Sequence, residues 1–100
     1  MPNESAMPVR GSPARAFESN QVEIAGGPQL IVAARPERRT VLVINHGTLD
    51  VFLGGSDVTL LTGLLLAGTK GTGIIIPTDV AIYGICSGTQ VVSFAELYGK

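Results

Sequence analysis

Apolar residues along this chain come in short bursts, and none of the bursts has the spacing of a helix. From residue 21 onward, aliphatic runs are broken by Gly, Pro, Asn or Asp at intervals of roughly eight to twelve residues, the spacing of an all-β sandwich or barrel. The pattern predicts strands at about 21–25, 29–34, 39–45, 49–54, 56–59, 73–77, 80–86 and 89–98. The fold class expected is therefore all-β: a small β-sandwich, jelly-roll-like or Ig-like, of about eight short strands. No window carries an i, i+3, i+4, i+7 stripe. Leu60–Ala67 comes nearest, but Gly63 interrupts it, and the segment reads as a loop. The best-defined element is a hairpin, with Thr40–Asn45 running up, His46-Gly47-Thr48 turning and Leu49–Leu53 returning.

Strand alternation carries the first functional inference. A sheet with one wet face alternates apolar and polar residues. Here Val41 and Val43 point one way and Leu42 and Ile44 the other, and all four are aliphatic. Ile74, Ile75 and Ile76 fill both faces in the same way, as do Val80–Tyr83 with Ile85 and Cys86. A body of this size has one internal core, so the second apolar face of each sheet requires a cover: an arm, a loop or another subunit. Leu60, Leu61, Leu64, Leu65 and Leu66 add a leucine-rich loop with the same requirement.

The first 20 residues differ in texture. They hold three of the chain's six prolines (Pro2, Pro8 and Pro13), with Asn, Ser, Ala and two arginines and no periodicity. Alone, such a segment buries too little apolar surface to offset its ordering entropy. It is expected to be an extended N-terminal arm over 1–20, ahead of a β-sandwich domain over 21–100. Met7, Val9, Arg10, Arg15 and Phe17 are its candidate docking residues, because an aromatic anchor and forked guanidinium donors supply much of the energy of such contacts.

Composition narrows the picture. One hundred residues make one domain, and a net charge of −1 leaves no electrostatic footprint for nucleic acid and no polybasic membrane signal. Charged residues are 15% against an apolar 45%, a greasy, weakly charged chain. The single cysteine, Cys86, cannot form an intrachain disulfide and sits in an apolar strand, where it reads as a small buried hydrophobe. The N-terminus lacks a signal-peptide pattern, and the longest apolar run, Leu30–Ala34, is far short of the roughly 20 residues of a membrane helix. Asn3-Glu4-Ser5 matches a glycosylation acceptor that lacks a secretory route, so synthesis in a host cytoplasm is expected.

Candidate chemistry is sparse. Gly63–Lys70 has the outline of a phosphate-binding loop, but Thr69 precedes Lys70 and Gly71 follows it. Gly68, Gly71 and Gly73 then read as a turn entering the 73–77 strand. His46, the one histidine, lies in a turn with no second ligand beside it. Asp50, Asp57 and Asp79 fall at turns, where Asp bonds local backbone N–H groups. The run Arg35-Pro36-Glu37-Arg38-Arg39 reads first as a solvated loop, and alternatively as a salt bridge or partner contact. No catalytic residues, no metal site and no cofactor are expected, and the chain is not read as an enzyme.

The segment Arg39-Thr40-Val41-Leu42-Val43-Ile44-Asn45-His46-Gly47-Thr48, then Asp50-Val51-Phe52-Leu53-Gly54-Gly55-Ser56-Asp57-Val58-Thr59 and Thr62-Gly63, resembles small virion proteins of tailed bacteriophages. Tyr83-Gly84-Ile85 and Ser87-Gly88-Thr89 continue the resemblance, which spans residues 38 to about 97. It implies a β-sandwich that decorates or cements a capsid, or forms the base of a head fibre or spike. The function expected first is a capsid decoration (cement) protein on the outer surface of the virion, a homotrimer bound to the major capsid protein, with no nucleic-acid or membrane partner. Leu60, Leu61, Leu64 and Leu65 are the candidate subunit contacts beside the arm residues. A tail, neck or head-fibre-base component is the alternative, and a small carbohydrate-binding β-module the second.

Overall fold

Runs of Val, Ile and Thr pack well on a pleated surface, and they form eight strands among the residues the computed structural model describes, 16–98. In chain order these are β1 (Ala16–Ile24), β2 (Gln29–Val32), β3 (Arg38–Asn45), β4 (Val51–Gly54), β5 (Leu64–Leu66), β6 (Gly73–Ile76), β7 (Ile82–Cys86) and β8 (Gln90–Tyr98). Two four-stranded antiparallel sheets result, β1-β8-β3-β6 and β2-β7-β4-β5. Each step along the chain changes sheet except β4 to β5. That is the connection of a jelly roll, a small β-sandwich closed by two Greek keys.

Within the expected β-sandwich domain, three elements depart from the sequence expectation. The hairpin over 40–53 is absent. β3 pairs with β6 and β8 while β4 pairs with β5 and β7, so residues 46–50 cross from one sheet to the other. A strand at 56–59 is absent too. Val58 N–H closes a turn onto the Gly55 carbonyl at 3.1 Å, and the Val58 side chain is buried. Gly63 makes room for it, since a Cβ there would lie 2.9 Å from Val58 Cγ2 and 2.5 Å from Phe52 Cβ. The third departure is β5, within the segment read as a loop: Leu64–Leu66 pairs with Leu53–Val51 in the one hairpin among the described residues.

Residues 16–20, assigned to the arm on composition, form the first half of β1 and pair with β8 from Tyr98 to Phe94. Glu18, Ser19 and Asn20 gave this stretch the polar texture of the arm, and the strand is held by backbone pairing along β8. Residues 1–15, with Met7, Val9, Arg10 and Arg15, lie outside the described residues.

The core lies between the sheets and is aliphatic, with Ile24, Val41, Val43, Val51, Leu66 and Val92 at its centre. Cys86 is fully buried there as a free thiol. A thiol reagent is therefore expected to leave the native protein unmodified and to titrate one equivalent after unfolding in denaturant; rapid native labelling would contradict this packing. The turn into β6 uses Gly71 at φ +89°, a left-handed conformation that side-chain-bearing residues avoid, and its N–H donates to the Asn45 carbonyl at 2.8 Å.

Candidate interaction surface

Polar groups close both ends of the sandwich. At one end, a register shift between Arg38 and Thr40 turns Arg38 inward, out of phase with the core-facing Val41 and Val43. Its side chain is completely buried. It donates to the carbonyls of Ala33 (2.7 Å), Thr78 (2.8 Å) and Val80, and to Glu96 Oε1 at 3.2 Å. Glu96, also buried, accepts from Arg35 at 3.3 Å, and Arg35 reaches Glu18 at 3.2 Å while its guanidinium lies 3.8 Å over the Tyr98 ring. Burial opposes the Arg35 charge, but Glu96, Tyr98 and Glu18 outweigh it and hold its pKa above the ordinary arginine value. The Tyr98 hydroxyl donates to Glu18 at 2.8 Å, and that bond, with desolvation, raises the phenol above the usual tyrosine range against the pull of Arg35. Arg35 and Arg38 thus form the salt bridges that were the alternative reading of the 35–39 run, clasping β1, β3, β8 and the loop before β7, while Glu37 and Arg39 are exposed as the solvated-loop reading expected.

At the other end, the buried Asn45 amide donates to the carbonyls of Leu49 (2.8 Å) and Ala67 (3.1 Å), and its Oδ1 accepts from Gly47 N–H at 3.0 Å. This bonding carries the crossing between sheets. His46, expected in a solvated turn, is half-buried, and its Nε2 bonds Ser93 Oγ at 2.9 Å. Asp50 Oδ1 accepts from Gly68 N–H at 2.6 Å, a partner 18 residues away. Among the described residues no group of three or more His, Cys, Asp and Glu could hold a metal ion. What the surface offers is apolar area.

That area has three parts. On the outer face of β1-β8-β3-β6, Phe17 faces Leu97, and Leu42 lies between Ala95 and Ile75. A shallow trough of about 620 Å³ runs over the small Ser93 and Ala95, between Phe17 and the polar Ser19, Asn20 and Gln21 on one side and Leu42 and Ile44 on the other. On the outer face of β2-β7-β4-β5, Phe52 lies between Leu65 and Ile85, and Leu30 faces Tyr83. Along the flank where β5 and β6 are the edge strands, the gap between the sheets opens as a crevice of about 330 Å³, lined by Leu53, Leu64, Ile76, Val80 and Ile82. The expected contact residues therefore separate: Phe17 belongs to the first sheet, Leu65 to the second, Leu64 to the crevice, and Leu60 and Leu61 to the β4–β5 loop. Ile75 and Val80, both well exposed, were not among them. The doubly apolar reading of 74–76 already held the signal for Ile75.

A two-sheet jelly-roll sandwich with apolar outer faces is the class of protein that this geometry defines. No family profile matches the chain, and no curated protein matches its sequence. Among solved structures it is similar to the stem and receptor binding domain of the spike protein P1 from bacteriophage PM2, with a TM-score of 0.54 and 20% sequence identity. The match covers 81% of this chain and 32% of that one, so this chain corresponds to about a third of the spike structure. At that identity the likeness is one of fold.

Proposed function

We propose that this chain is a structural component of a bacteriophage virion, a β-sandwich of the spike or fibre-base kind that works by association and not by catalysis. The observation that carries the reading is the shared fold with part of a phage spike protein. The exposed apolar residues on both sheets and along the flank agree with it, because clustered apolar surface marks an association site. Protein partners, including further copies of the chain, are what such surfaces take. Quantitative mass spectrometry of purified virions, with immunogold labelling, tests this reading. The expected result is a low copy number confined to a vertex, neck or tail structure, and absence of the chain from particles would overturn it.

The narrower reading as a capsid decoration (cement) protein has one feature in its favour. The trough on the outer face of β1-β8-β3-β6 has no charged residue in its lining, and would lie well across a seam between coat subunits. A copy number on the scale of the coat protein, with label spread over the shell, would select that role.

A further inference from the structure

Two features of the β5–β6 flank match one another. The first is a projection. Leu61, 96% exposed, stands at the tip of the β4–β5 loop in a turn held by its own threonines. Thr62 Oγ1 accepts from Thr59 N–H at 3.0 Å, Thr59 Oγ1 accepts from the N–H groups of Leu61 and Thr62 at 3.2 Å each, and the Thr59 carbonyl accepts from Gly63 N–H at 3.0 Å. A single exposed leucine is ordinary on a protein surface. One pinned by this many local bonds and held clear of its own fold has lost the freedom to tuck away. The second feature is the crevice between the sheet edges, whose apolar walls end at the exposed Leu64 and Val80.

We propose that copies of this chain associate by seating Leu61 of one copy in the β5–β6 crevice of another. The occupant is a second copy because both halves of the contact lie on this chain and agree in charge. Residues 58–66 carry no charged side chain, and neither does any residue lining the crevice. Asp57 and Asp79, both exposed, stand just outside the two halves, so the apolar contact itself is uncharged and the acids are left at its rim, where salt screens them. Leu60, exposed beside Leu61 in the same loop, enlarges the contact beyond one side chain. The two halves differ, so the contact is heterologous and can close as a ring, including the homotrimer expected from the sequence. The inference names the partner in the proposed associative role and rests on that reading only for its place in a virion.

The experiment uses the purified full chain. Light scattering after size exclusion is expected to give a mass that is a multiple of the chain mass. Leu61→Ser is expected to weaken the association about a hundredfold, as the loss of one fully buried leucine implies. The unfolding midpoint of the dilute monomer should not move, because the side chain is clear of its own fold. Mixed Leu61→Cys and Val80→Cys proteins are then expected to form a disulfide-linked pair under mild oxidation, with neither variant linking to itself. A wild-type monomer at all concentrations, an oligomer indifferent to Leu61→Ser, or Leu61→Cys linking to its own kind would each overturn the proposal. These readouts need no virion, so failure of the virion reading leaves them standing, and their failure leaves that reading to its own test.

Discussion

Replacing Glu96 by alanine is expected to destabilise the fold by about 3–5 kcal/mol, the effect of removing one partner from a buried ion pair. The cost falls on Arg38. Its guanidinium is fully buried, and Glu96 at 3.2 Å is its one carboxylate partner among the described residues. The carbonyls of Ala33, Thr78 and Val80 satisfy Arg38 N–H groups without balancing its charge. The same substitution removes one of the two carboxylates that hold Arg35 beside Tyr98. Urea unfolding followed by circular dichroism checks this. Glu96→Gln keeps the shape and an acceptor oxygen, so a loss close to that of alanine identifies charge as the cause. Replacing Arg38 and Glu96 together by apolar residues should recover much of the loss. If the double replacement were as damaging as the sum of the single ones, the clasp would be stabilising through packing and hydrogen bonding, with charge pairing secondary.

Asn45→Ala is expected to cost about 2–3 kcal/mol, since truncation removes a wholly buried amide together with its bonds to the part-buried carbonyls of Leu49 and Ala67 and to Gly47 N–H. Asn45 is wholly buried, and its amide joins the end of β3 to the backbone before β4 and after β5. A second variant separates hydrogen bonding from packing. Asn45→Asp retains the oxygen that accepts from Gly47 but turns an anion toward the carbonyls of Leu49 and Ala67. It should be at least as destabilised as the alanine variant at neutral pH and should recover part of that loss as acid protonates the new carboxyl. Denaturant midpoints measured at two pH values read this directly. A loss under 1 kcal/mol for Asn45→Ala would mean that the crossing is held elsewhere, with the Gln90 bond to Leu49 N–H at 3.3 Å the nearest alternative.

These two residues also mark where the sequence was hardest to read. Nothing local distinguishes a turn that returns within a sheet from one that crosses to the opposite sheet, and Asn45–Thr48 has the composition of either. The distinction rests on partners of Asn45 as far away as Ala67. Arg38 was hidden in the same way. In a charge run its bland fate is solvent, and only a one-residue bulge against β8 rotates it inward to meet Glu96. At 64–66 the leucines resembled a loop because Gly63 broke the pattern, although Gly63 is there to give Val58 and Phe52 room. The leucines themselves were legible as residues in want of a cover; which face each would take was not.

By itself the sequence determined an all-β sandwich of about eight short strands with a buried Cys86, and a chain with more apolar strand faces than one core can absorb. Those properties follow from side-chain period, glycine punctuation and charge content, all local and additive along the chain. The tertiary structure alone decided the sheet order, the inward turn of Arg38, the pairing of residues 16–20 with β8 and the division of the exposed apolar residues among two faces and a flank. Each of these depends on which backbone lies beside which. Pairings such as Glu18 with Glu96 join residues far apart in sequence, whose proximity no local window encodes.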